Sequence, residues 1–330
     1  CFWEVKMEDK STTLFLEREP LGKLMGKFCI PCIVSLLVAT LYNIVDQLFI
    51  ANADYLGSNG NAANSVVFPL TIVALGLAML IGDGGCTIAS IALGSGNQMK
   101  ARRTIGCSIT CLVIIGIVLM GIYLIFPDQI LTLFGGRVND TTFAMAKEYF
   151  FWISLGIPFY VFGQAMNPIV RADGSPKFAM AALVIGAVIN LGLDPLFIYV
   201  FKWGMFGAAL ATIIGQIVAA VMFIVYAFRM KSVKLDLDSL KPRFKLIRQI
   251  IPQGTASMLT QLAIVLSMAV VFNIINKYKV DDPIFSQEEY SQIPTAVVGI
   301  TMKFFQVIIS VAIGMVTGCF SLAGYNLGAK

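Results

Sequence analysis

The sequence predicts an all-α polytopic membrane protein, and three observations carry that prediction. The 330 residues are 58% hydrophobic and 13% charged, with a mean hydropathy of +0.82, whereas a soluble domain is about half apolar and a quarter charged. Several apolar runs exceed the roughly 20 residues that a helix needs to cross a bilayer. Part of the chain repeats in the same membrane direction, as in transporters built from two parallel halves. No signal peptide is expected, because the first apolar run is long and further spans follow it. Met7 offers a more natural start than Cys1, so residues 1–6 read as an upstream extension or the scar of a partial gene.

A short amphipathic lead-in, Leu14 to Lys27, is expected at the interface. Eight spans follow. The first, 28–50, opens on Cys29-Ile30-Pro31-Cys32 and carries Tyr42 and Asp46 four residues apart, on one helix face. Its cysteine pair has redox spacing but no βαβ context, and reads as inert. The second, 62–84, ends among glycines, where Asp83 reads as part of a solvated turn. The third is 104–126. The fourth, 146–168, holds Gln164 and Asn167 near its inner end, as polar network or interhelical glue.

The fifth span, 178–200, contains the stretch that organises the chain, Ile189-Asn190-Leu191-Gly192-Leu193-Asp194-Pro195. A charge at membrane depth costs at least ~2.5 kcal/mol, so Asp194 is a functional candidate by default. Asn190 sits one turn before it, and Pro195 cannot donate to the carbonyl of Leu191, which predicts a kink beside the carboxylate. The sixth span, 204–228, brings Thr212 to a similar depth, and small residues near its start suit close packing. The seventh and eighth are 250–275 and 296–320. Lys303 lies within the last, either snorkelling or lining a cavity.

Lys and Arg crowd one side of these spans: Lys6, Lys10, Arg18, Lys23, Lys27, Lys100, Arg102, Arg103, Arg171, Lys177 and the run from Arg229 to Arg248. The positive-inside rule therefore puts the N-terminus and the basic linker in the cytoplasm. The net charge of +5 is thus a topology signal and not a nucleic-acid footprint. Asn139-Asp140-Thr141 matches a glycosylation acceptor on the other side, most simply by chance.

The repeat pairs Gly84, Ala89, Leu93 and Gly94 with Gly318, Ala323, Leu327 and Gly328 at constant offset. Ile30-Pro31 likewise recurs as Ile251-Pro252. Four segments are expected: residues 1–27 cytoplasmic or interfacial, 28–228 a six-helix N-lobe, 229–249 a basic linker, and 250–330 the first two helices of a second lobe. The second copy stops after two of six spans, which reads as a truncated chain.

Tyr42, Asp46, Asn190, Asp194 and Thr212 form an all-oxygen set, suited to a hard cation such as Na⁺ or to a proton. Histidine is absent. No P-loop, nucleophile elbow or Cys/His metal cluster appears, so neither ATP, an enzyme nor a resident cofactor is expected, and energy would come from an ion gradient.

These residues resemble the multidrug and toxic compound extrusion (MATE) transporters from about Pro20 to Lys330. The resemblance rests on Tyr42-Asn43-Ile44-Val45-Asp46-Gln47, the glycine-rich close of the second span, and Arg171-Ala172-Asp173-Gly174-Ser175-Pro176-Lys177. It continues with Asn190-x-x-x-Asp194-Pro195, Gly207-Ala208-Ala209-x-Ala211-Thr212 and Ala323-Gly324-Tyr325-Asn326-x-Gly328. It implies two six-helix lobes in a V, alternating access, and export of cationic amphipathic compounds for H⁺ or Na⁺ across a bacterial inner membrane. Its cation site would be Asp46, Asn190, Asp194 and Thr212, supported by Tyr42 and Asn167. The alternatives are a lipid-linked sugar flippase, which should show a cationic cavity, a membrane-embedded enzyme, and a non-functional remnant.

Overall fold

The computed structural model describes residues 20–287 and 290–329. The N-terminal lysines up to Arg18, the lead-in as far as residue 19, and Lys330 lie outside them. Among the described residues, eight helices are long and apolar enough to cross a membrane. In chain order the helices are α1 Leu21–Ala51, α2 Gly57–Gly94, α3 Gln98–Ile125, the short α4 Pro127–Leu133 and α5 Asp140–Ala172. Then come α6 Pro176–Pro195, α7 Gly204–Ala227, α8 Phe244–Tyr278 and α9 Ile293–Ala329.

The expected spans are all present, most of them longer at both ends than the apolar runs alone suggest. Residues 21–27 are not a separate interfacial segment, since α1 runs through them unbroken. Pro31 is tolerated inside that helix, and Ser35 Oγ donates to its carbonyl at 2.7 Å. The expected kink at Pro195 takes a definite form. The α-helix ends on that residue and continues as one π-helical stretch, Leu196–Val200, the kind of widened turn that recurs at functional sites. Asn139 caps α5 by accepting from the Thr142 N–H at 2.7 Å, while its amide nitrogen reaches Ser291.

α2 is the central helix. It packs on α3, α5, α8 and α9, and more than half of its membrane window is buried. Asp83 overturns its reading as a solvated turn. It is 2% exposed inside continuous α2, within reach of a hydrogen bond to Ser257 and in the field of Arg171. The glycines around it serve helix crossing and not chain reversal.

Those crossings repeat. A Cβ at Gly84 would strike the Ile250 carbonyl, and one at Gly318 would strike Cys29. A Cβ at Gly94 would strike the Tyr325 carbonyl, and one at Gly328 the Ile91 carbonyl. Under the sequence repeat, Gly84 corresponds to Gly318, Ile250 to Cys29, Gly94 to Gly328 and Ile91 to Tyr325. The contact of α2 with α8 is therefore mirrored by that of α9 with α1, and the α2–α9 crossing maps onto itself. Backbones approach this closely only where no side chain intervenes.

Asp173, which the sequence marked only as part of a motif, ties the linker to this bundle. It is fully buried and accepts from Tyr226 Oη at 2.6 Å and from the N–H groups of Lys231 and Ser232 at 2.8 Å each. Hydrogen bonds to a charged group are each worth about 1.5–3 kcal/mol. Asp173→Ala should therefore destabilise the protein by about 3 kcal/mol, read as a lower Tm in detergent, with a smaller loss for Asp173→Asn.

Candidate functional site

Four helices deliver oxygen atoms to one level. Asp46 lies near the end of α1, ~8 Å along the axis from its last residue. Asp194 closes α6, and the π-helical residues after it place it ~9 Å from the same side. Asn64 is ~10 Å into α2 and Thr212 ~12 Å into α7. Both aspartates are buried, Asp46 at 4% and Asp194 at 0% exposure.

Asn190 joins two of these groups. Its Nδ2 donates to Asp194 Oδ1 at 3.3 Å and to Thr212 Oγ1 at 3.4 Å. Thr212 donates in turn to the Ala208 carbonyl at 3.1 Å, which leaves its oxygen free to accept. Asp46 Oδ2 accepts from Asn64 Nδ2 at 3.2 Å. The two aspartates are close enough for their charges to act on each other. Tyr42, Asn190 and Thr212 line a small cavity of about 40 Å³ together with Gln164 and Gln216. That space has room for a water-sized guest.

Three oxygens in this group have no hydrogen-bond partner: Asp46 Oδ1, Asn190 Oδ1 and Asp194 Oδ2. Buried polar atoms are nearly always satisfied, and an orphaned carboxylate oxygen is the costlier kind. Three such acceptors could receive a proton or a small hard cation, beside the Lys303 ammonium whose charge already acts on Asp46. Among the described residues, no group of three or more His, Cys, Asp or Glu could hold a metal ion.

Asn167 is not in this group. Its side chain donates to the Ala179 carbonyl at 3.2 Å and accepts from Arg171. Ala179 is in the first turn of α6, ~16 Å along the axis from Asn190. The residue joins helices at the other face, the role of interhelical glue. Sequence reasoning missed two members instead. Tyr149 lies buried beside Thr212, and Asn64 donates to Asp46. The signal for Asn64 was present: Asn61, Asn64 and Ser65 lie on one face of α2 at the depth of Asp46. Gln47 donates to Asn61 and to Ser65 (3.1 Å), pinning α1 to α2 there.

A family model described as MatE matches residues 31–196. The chain belongs to the MatE family. The matched stretch contains Asp46, Asn64, Asn190 and Asp194, so the buried acids lie within the family's own region and not in an appendage. Among curated proteins, the multidrug export protein MepA of Staphylococcus aureus is 26% identical over 325 residues, covering 98% of this chain and 68% of MepA. Among solved structures, the MATE multidrug transporter DinF-BH superposes with a TM-score of 0.83 at 27% identity, over 95% of this chain and 67% of that one. An outward-facing multidrug resistance MATE transporter shares the fold at a TM-score of 0.81 and 24% identity, over 97% of this chain and 68% of that one. This MatE-family chain is therefore an all-helical, multi-pass membrane protein of a transporter family.

Proposed function

We propose that the protein is a secondary-active multidrug exporter of the bacterial inner membrane. It would move cationic amphipathic compounds outward in exchange for H⁺ or Na⁺. The observation that carries this reading is the trio of unpartnered buried oxygens on Asp46, Asn190 and Asp194. Such a set gains most from a small cation that comes and goes, and a catalytic centre has no counterpart among these residues. The similarity to MepA supports multidrug cargo.

Alternating access requires two packings of comparable free energy, with the ion binding them unequally. The mirrored crossings of α1, α2, α8 and α9 support a symmetric arrangement of a six-helix unit, residues 28–228, with two helices of a second copy, residues 250–330. Residues 229–249 link them on the face we assign to the cytoplasm from its lysines and arginines. Binding or release of the ion at Asp46 would alter how α1 sits on α2, because Gln47 and Asn64 hold that seam.

The test is transport by purified protein in liposomes with an imposed pH or Na⁺ gradient. Ethidium, a permanent organic cation, should accumulate against its own gradient under at least one of the two and stop when that gradient collapses. Dye movement that ignores both gradients would overturn ion exchange.

A further inference from the structure

The C-terminal ends of α1 and α6 are tied together one turn beyond the two acids. Phe49 follows Asp46 by three residues and Ile198 follows Asp194 by four, so each lies on the same face as its acid. Each also has a carbonyl whose helical partner turns away. The Ala53 N–H goes to the Ile50 carbonyl at 3.3 Å instead of Phe49, and the Trp203 N–H goes to Phe197 at 3.0 Å instead of Ile198. A carbonyl left over at a helix end needs another donor. Here the donor comes in each case from the opposite element. Tyr199 Oη, in the π-helical stretch after α6, donates to the Phe49 carbonyl at 2.9 Å. Tyr55 Oη, in the turn after α1, donates to the Ile198 carbonyl at 2.7 Å.

The knot reaches a third helix. Tyr55 Oη also accepts from the N–H of Gly204, the first residue of α7, at 3.2 Å. Lys202 takes φ +54° in the turn between, a left-handed conformation that a lysine keeps where its surroundings fix the chain. The rings of Phe49 and Tyr199 meet edge to face at 6.0 Å, and Phe197 stacks on Trp203 at 5.1 Å. The three helices so joined carry Asp46, Asn190, Asp194 and Thr212. Neither tyrosine lines the small cavity beside them, nor the larger one, about 100 Å³, that lies between helices of both repeats.

We propose that Tyr55 and Tyr199 are positioning residues that hold Asp46 and Asp194 at the spacing one shared cation requires. They act through the helix ends they cap. With a hydroxyl gone, α1 and α6 gain freedom to slide past each other, and the site adopts its binding geometry less often. The apparent affinity for the cation falls by the same fraction. Tyrosines near a membrane interface also serve as plain anchors, a role that needs the ring and no hydrogen bond to Phe49 or Ile198. The inference rests on the exporter reading of the two acids.

Tyr55→Phe and Tyr199→Phe keep the ring and remove the hydroxyl. Ethidium transport in liposomes is measured against the concentration of the driving cation, Na⁺ or H⁺. Each variant should need about fivefold more of that cation to reach half its own maximal rate. Tyr278→Phe, at an exposed tyrosine that ends α8, should titrate as the native protein does. A lower maximal rate or Tm with the half-point unmoved would make the two tyrosines structural caps and overturn the proposal, as would variants that match the native protein throughout. Failure of the exporter reading shows in the native protein, where ethidium follows neither gradient. The clasp is then read from the Tm of the purified chain, titrated with NaCl at constant ionic strength and separately with acid. The same fivefold shift would uphold it, and an unmoved or missing midpoint would overturn it.

Discussion

Asp46→Asn and Asp194→Asn will each bring gradient-driven dye export close to the level of empty liposomes. Asparagine keeps the size of aspartate and one carbonyl acceptor, so the contact of Asn64 with position 46 and that of Asn190 with position 194 can persist. What it removes is the negative charge that a cation or proton needs. Losing one charged ligand at a buried site costs about 3 kcal/mol of ion affinity, or a factor of roughly 100. Exchange needs the ion to bind in one state and leave in the other, so a loss of that size stops the cycle and does not merely slow it. The double variant should be no worse than either single one, since both acids act on one ion. Anisotropy should show dye binding largely retained, because neither acid lines the larger cavity. Export that survives either substitution at the native rate would separate that acid from coupling.

The spans, the repeat and the two acids were legible because each depends on local pattern: apolar length, a recurring string, a carboxylate where lipid should be. The partners of those acids were not, because they are chosen by packing. Asn64 looks like any polar residue near a helix end until α1 lies against α2. Lys303 is equally ambiguous between snorkelling and cavity until α9 turns it inward. Asp83 was misread for a related reason. Glycines that signal a turn in a soluble chain signal close helix approach in a membrane bundle, and only the neighbour across the contact distinguishes the two. Asn167 lies away from the two acids, its oxygen held one turn on by Arg171, which no local pattern could show.

The mirrored crossings also yield the strongest test that the two repeats move against each other. Cys29 of α1 and Cys319 of α9 have their sulfurs 3.7 Å apart, beside Gly318, where the two backbones touch. A disulfide would need the sulfurs to close to about 2.05 Å, a small shift for helices already this near. Diamide should drive it: the two thiols give up two protons and two electrons, the S–S bond forms, and the reagent is reduced to its hydrazine. If α1 and α9 must part at this face for the cavity to open there, the cross-link holds the protein in one state, and transport falls by about tenfold or more. A thiol reductant should restore it. Cys29→Ser should transport normally with or without diamide, which excludes damage through the remaining cysteines. Should a fully cross-linked sample carry dye as well as the reduced one, the α1–α9 seam stays shut throughout the cycle and the moving contact lies elsewhere, with the crossings of α2 on α8 and on α9 as the remaining candidates.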